Sequence, residues 1–122
     1  MLPMSVRNLA AGARVELRLH EHATAHQYRE LGVFVRYCID RIERDLERAD
    51  WWTIKIVPNR VCYGCDVIAQ YGDVVVEANG NGFDGAVAGW EAFSKIEGML
   101  RENGMHREPD VEREVAVGGS WS

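Results

Sequence analysis

The chain has 122 residues, a formal net charge of −5 at pH 7 and a hydrophobic content of 47%. The length predicts one domain, and the hydrophobic content suffices for a packed core, which argues against disorder over the main body. The acidic charge argues against loose, purely electrostatic binding of nucleic acid, although it does not exclude a local basic patch.

Cysteine usage and hydropathy indicate the compartment. The three cysteines, an odd number, do not suit the disulfide framework of a secreted domain. No apolar run approaches the ~20 residues that span a membrane, and residues 1–13 lack the apolar core of a signal peptide. We therefore expect a soluble cytoplasmic protein with no membrane partner.

Two elements are predicted in the first part of the chain. Residues 1–13 are interpreted as a leader, with a short extra strand as the alternative. A period-two alternation from Arg14, with Val15, Leu17 and Leu19 on one face, predicts a half-buried strand.

The longest helical pattern follows. Thr24 is the predicted N-cap and Asp50 marks the expected end. The apolar face of this helix is predicted to contain Tyr28, Leu31, Val35, Cys38, Ile39, Ile42 and Leu46.

Three further strands are predicted at 51–57, 61–70 and 74–78. Gly64 is a candidate bulge in the second of these, and the short turn at Gly72 makes the last two antiparallel neighbours. The Asn-Gly-Asn-Gly run at 79–82 is expected to break the last strand.

A second helix follows this break. Asp84 is its predicted N-cap and Asn103-Gly104 its predicted end. Its apolar face is expected to hold Val87, Trp90, Phe93, Ile96 and Leu100. The remainder, residues 105–122, is charged and then rich in Gly and Ser, and it is interpreted as a flexible tail.

The predicted order is β-α-β-β-β-α. Because both helices have one apolar face and the strands are amphipathic, we expect an α+β fold in which two helices pack on one face of a four-stranded mixed sheet. This single domain is expected to span residues 14–104.

The helix motifs carry a family resemblance. The second helix reads Asp84-Gly-Ala-Val-Ala-Gly and then Ser94-Lys-Ile-Glu-Gly-Met-Leu100, and the first ends in Arg41-Ile42-Glu43-Arg44. Together with the element order, these motifs resemble the bacterial family of ribosome hibernation-promoting factors and ribosome-associated inhibitors (protein Y). The resemblance implies a shape like that of double-stranded-RNA-binding domains.

The resemblance also implies a function. Such proteins bind the small ribosomal subunit, occupy the channel used by messenger and transfer RNA, and inhibit translation under stress. They are not enzymes and use no cofactor. Basic residues on the helices would contact rRNA phosphates. By position the resemblance implies Arg41, Arg44 and Lys95, and with Arg36 and Arg101 these are the residues that we expect to contact RNA.

Charge on the helices supports a second hypothesis. From Asp84 to Glu102 the chain has two basic residues against four acidic ones. A small acidic protein of this kind also suits an immunity protein or antidote, a binding module that blocks a basic protein partner. Neither hypothesis includes binding to DNA.

A third and weaker hypothesis is a zinc-binding module. Cys62-Tyr-Gly-Cys65 has the spacing of a metal knuckle, and His20 and His22, with His26, are the further candidate ligands. No second such motif exists, and the simpler interpretation is one buried cysteine and one without a role. Paired carboxylates and a Ser/His/Asp set are both missing, so we do not expect an enzyme.

Overall fold

The computed structural model describes residues 5–7 and 14–106, and it forms two layers. The elements in chain order are β1 (Ser5–Arg7), β2 (Val15–Leu19), α1 (Ala25–Asp45), β3 (Trp51–Pro58), β4 (Tyr63–Tyr71), β5 (Val74–Gly82) and α2 (Gly85–Glu102). No helix in this described part is long and apolar enough to cross a membrane.

The sheet confirms the predicted fold class. Its strand order is β1-β2-β3-β4-β5. β2 and β3 are parallel, with Val15 opposite Trp52, and the other neighbours are antiparallel. The predicted four strands are β2 to β5, and β1 adds a short edge strand within the segment interpreted as a leader. The remaining leader residues and the predicted tail after His106 lie outside the described residues.

The start of α1 follows from local chemistry. The Thr24 hydroxyl accepts a hydrogen bond from the Gln27 N–H at 3.1 Å, and the Gln27 side chain accepts one from the Thr24 N–H at 2.8 Å. This reciprocal capping box satisfies two amides that a helix start leaves unpaired. The predicted N-cap is therefore confirmed.

The end of α1 comes earlier than the sequence predicted. The helix stops at Asp45 rather than near Asp50, and Leu46 takes an extended conformation. The reason is tertiary, because the Glu47 N–H donates to the Met105 carbonyl at 2.8 Å and Leu46 forms a bridge with His106. Backbone that would have continued the helix is thus paired with the segment after α2.

Glu43 anchors this end of α1 to the sheet. Its carboxylate lies 2.7 Å from Arg14 and accepts hydrogen bonds from the Trp52 indole at 2.9 Å and the Ala49 N–H at 3.0 Å. Burial raises the pKa of this carboxyl, but the hydrogen bonds from Arg14, Trp52 and Ala49 outweigh burial, so its pKa is lowered.

The predicted break of the last strand at residues 79–82 was wrong. β5 continues through Asn79 to Gly82 and pairs with β4 throughout, with Asn79 opposite Asp66. A Cβ on Gly80 would lie 2.4 Å from the Ala88 carbonyl oxygen, and one on Gly82 would lie 2.5 Å from a side-chain carbon of α2. The glycines therefore allow close contact between helix and strand rather than a turn.

The register also excludes the predicted bulge in β4. Gly64 pairs with Val57 on one side and Asn81 on the other, in an unbroken ladder. Gly72, with φ 61°, forms the two-residue turn between β4 and β5, as predicted.

The core lies between the sheet and the helices. Trp52 is fully buried and its ring lies 5.9 Å from that of Phe93. The prediction for α2 was wrong at Val87 and Trp90, which are exposed. The helix instead packs through a stripe of mostly small residues, namely Gly85, Ala88, Gly89, Ala92, Phe93, Ile96 and Leu100.

Candidate nucleic-acid interface on the two helices

The two helices lie side by side and run in the same direction. The Phe34 ring packs over Gly89, and further along both helices the Arg41 guanidinium lies 3.4 Å from the Glu97 carboxylate. We call their outward surface the two-helix face. It contains Val33, Arg36, Tyr37, Asp40, Arg41, Arg44, Trp90, Ser94, Glu97 and Arg101.

Glu97 brings two of the predicted RNA-binding residues together. Its carboxylate lies 3.4 Å from Arg41 of α1 and 3.0 Å from Arg101 of α2. The Arg41 guanidinium also lies 5.1 Å from the centre of the Trp90 ring. Both cations are therefore already paired within the protein, which reduces the charge that they present to a polyanion.

Lys95 faces away from this cluster, toward β5. Its ammonium donates to the Asn79 carbonyl at 2.9 Å and lies 3.9 Å from the Glu91 carboxylate. The structure thus gives Lys95 a role at the edge of the sheet and does not bring it to the centre of the two-helix face.

The other two predicted residues are the less engaged ones. Arg36 lies 3.9 Å from Asp40, at the limit of an ion pair, and its side chain is more than half exposed. Arg44 is exposed, and no acidic side chain in the described part of the chain lies within 4 Å of it. Of the five predicted residues, these two are the most available to a phosphate.

The charge on the helices is balanced. Within α1 and α2 there are six Arg and Lys residues against seven Asp and Glu residues. On the two-helix face itself, four arginines lie beside Asp40 and Glu97, and three of the four are paired with these carboxylates, so phosphate contacts alone give this surface limited affinity for RNA.

Exposed aromatic side chains are the feature that the sequence analysis missed. Trp90 is 45% exposed although the sequence predicted it in the core, and Tyr37 is also exposed. Val33 lies one turn before Tyr37 on the same side of α1. The sequence does contain a signal for the exposure of Trp90. If Ala88 and Ala92 face the core, Trp90, which lies two residues from each, must be on the opposite side of the helix.

The structure does not assemble a metal site from the predicted ligands. Cys65 is buried with its pKa raised to about 12 by burial, whereas Cys62 lies before β4 with its sulfur 3.2 Å from Asn59. The rings of His20 and His22 lie 6.4 Å apart in the loop after β2. Among the residues that the structure describes, no three His, Cys, Asp or Glu side chains are placed to hold a metal ion.

The fold and this face define a class of protein, namely a two-layer α+β domain of order β-α-β-β-β-α with a parallel pair of helices over a mixed sheet. Among solved structures, the chain is similar to the ribosomal subunit interface protein from Coxiella burnetii, with a TM-score of 0.58 and 13% sequence identity. The match covers 74% of this chain and 96% of that one. At this identity the likeness shows the shared fold.

Sequence comparisons add no relative. No family model matches the chain, and no curated protein matches it.

Proposed function

We propose that this protein is a non-enzymatic, ribosome-associated inhibitor of translation that acts in the cytoplasm and binds small-subunit rRNA through the two-helix face. The observation that carries the proposal is the fold shared with a ribosomal subunit interface protein over 96% of that protein's length. The helix motifs that resemble hibernation factors support the same function.

The two-helix face supports RNA binding by a mixture of interactions. Arg36 and Arg44 are available for phosphates, and charge-assisted hydrogen bonds of this kind position a protein on RNA without reading its sequence. Tyr37 and Trp90 offer exposed rings on which unpaired bases can stack. Stacking supplies affinity that the balanced charge of the helices does not.

Co-sedimentation with ribosomes in sucrose gradients at low salt tests this function. The wild-type protein should enter the small-subunit or whole-ribosome fractions. Arg44→Glu should weaken binding about tenfold, as expected for the loss of one charge-assisted contact. Lys55→Glu is the matched control, since Lys55 is exposed on the sheet face opposite the helices.

The results of this experiment distinguish ribosome association itself from the use of the two-helix face as the contact surface. A wild-type protein that stays at the top of the gradient would reject ribosome association. A ribosome-bound protein that is equally sensitive to both charge reversals would reject the two-helix face as the contact surface.

The charge balance favours a second candidate function, an acidic module that blocks a basic protein. Six basic against seven acidic residues on the helices, with Arg41 and Arg101 held by Glu97, suit a basic partner better than a polyanion. Tight binding to a basic toxin or nuclease, with no ribosome association, would decide for this function.

A further inference from the structure

β5 forms a free edge of the sheet, and only part of that edge is closed. β5 pairs with β4 alone, and Val74 lies opposite Tyr71 across a two-residue turn. In an antiparallel ladder that starts this way, alternate residues turn their N–H and C=O groups away from the neighbour. In β5 the outward-facing residues are Val75, Glu77, Asn79 and Asn81.

Side chains of α2 bind two of the four outward backbone groups in the second half of this edge. The Asn81 N–H donates to the Glu91 carboxylate at 2.8 Å, and the Asn79 carbonyl accepts from the Lys95 ammonium at 2.9 Å. These bonds cover the backbone where another strand would otherwise pair, as edge strands commonly require. We call residues 78–82 the capped half of β5.

The first half, residues 74–77, is different. In the described part of the chain no hydrogen bond reaches the outward N–H or C=O groups of Val75 and Glu77. Val74 is 54% exposed and Val75 is 57% exposed. We call residues 74–77 the open half. It offers two amides and two carbonyls in the geometry that an added strand needs.

An apolar cleft adjoins the open half. It has a volume of about 770 Å³ and is lined by Val74, Val76, Met99 and Met105, among others. It therefore lies between the edge strand and the C-terminal end of α2. The flexible thioether side chains of the two methionines suit it to apolar side chains of various shapes.

Charge at the open half selects among partners. Asp73, Glu77 and Glu102 are exposed at or next to the lining residues, whereas Lys95 and Arg101 are held by other groups of the protein. A second copy of the chain would bring the same acidic side chains to the same edge, which is unfavourable. A basic segment is complementary.

We propose that the open half of β5 and its cleft bind an extended, basic and apolar peptide segment of another protein as an added strand. Alternate side chains of the segment fill the cleft, and those between them meet Glu77 on the open face of the sheet. This inference does not rest on ribosome association.

A synthetic peptide of alternating lysine and valine, seven residues long with both ends blocked, tests the proposal. On its addition to the full-length protein, the amide resonances of Val75 and Glu77 should shift and their hydrogen exchange should slow. A peptide with glutamate in place of lysine should bind at least tenfold more weakly. Equal binding of both peptides would overturn the charge argument.

A proline pair tests the edge itself. Val75→Pro removes one outward N–H but none of the bonds to β4, so it should weaken the lysine peptide about tenfold. Asn79→Pro makes the same change in the capped half and should bind like the wild type. Thermal unfolding of both variants verifies that they fold.

Glu77→Lys gives a second readout that does not alter the backbone. It should weaken the lysine peptide and strengthen the glutamate peptide. The proposal is overturned if the lysine peptide does not bind, if both prolines act alike, or if the protein alone dimerises in sedimentation and protects these amides.

Discussion

Glu43 shows how one side chain can fix the junction between a helix and a sheet. It is buried, yet its carboxylate is charged because Arg14, Trp52 and the Ala49 N–H all bind it. An ionised group in such a place contributes to stability only while each of these partners remains. The surface ion pairs of this protein, such as that between Arg36 and Asp40, contribute far less.

Glu43→Gln should therefore lower the free energy of unfolding by about 2–4 kcal/mol, because it leaves the Arg14 guanidinium without its charge partner. Urea unfolding at pH 7 measures this loss. Glu102→Gln, an identical change at an exposed site, is the control and should shift stability by less than about 0.5 kcal/mol.

The same carboxyl should make stability depend on pH. Its pKa is lower in the folded protein, so the unfolded chain binds more protons in acid. The stability from Glu43 is fully present above the ordinary pKa of 4.5 and is lost as the pH falls through the folded value. Glu43→Gln should flatten this part of the acid unfolding curve, and an unchanged curve would contradict the assignment.

At the scale of elements, α2 packs closely against β5. It depends on Gly80 and Gly82 in the strand and on the small residues that face them from α2. Because Gly80 and Gly82 have no side chain, the helix lies so near the strand that Glu91 and Lys95 reach the strand backbone. The stripe of small residues on α2 therefore also allows the hydrogen bonds that define the capped half of β5.

Two glycine substitutions in this unit should have opposite effects. Gly80→Ala should destabilise by about 1–3 kcal/mol, because its Cβ would lie 2.4 Å from the backbone oxygen of Ala88. Gly98→Ala, on the exposed side of α2 with nothing within 4 Å, should stabilise by about 0.5–1 kcal/mol. Thermal unfolding measures both, and shifts of equal sign would contradict this account of the packing.

The bridge between the helices gives a prediction for function. Glu97→Gln frees Arg41 and Arg101, so ribosome binding at low salt should strengthen about three- to tenfold, if these residues contact RNA. Glu102→Gln removes the same charge without releasing either arginine and should change binding much less. Equal gains in the two variants would mean that net charge, not the released arginines, is responsible.

At the scale of the whole molecule, the net charge of −5 limits how RNA can be bound. With Arg36 and Arg44 as the more available arginines of the two-helix face, we expect few counterions to be released on binding. A plot of the logarithm of the binding constant against that of the salt concentration should then have a slope of about −1 to −3. A slope steeper than about −5 would show that phosphate contacts dominate after all.

Local sequence determined much of this protein. Thr24, Asp84 and Gly72 each act through neighbours in the chain, and the alternation of apolar residues set the strands, so caps, turn and element order were predictable. The fold class was also predictable, because two helices with one apolar face each and a set of amphipathic strands can bury those faces by packing the helices on one side of the sheet.

Tertiary structure decided the rest, since those features join residues far apart in the chain. Whether 79–82 formed a turn or a strand depended on α2 packing over it, and the exposure of Trp90 depended on which stripe of α2 met the sheet. The pairing of Arg41 and Arg101 through Glu97 exists only because the two helices lie side by side. Sequence patterns report the period of an element, but they do not report which long-range partner satisfies each charge.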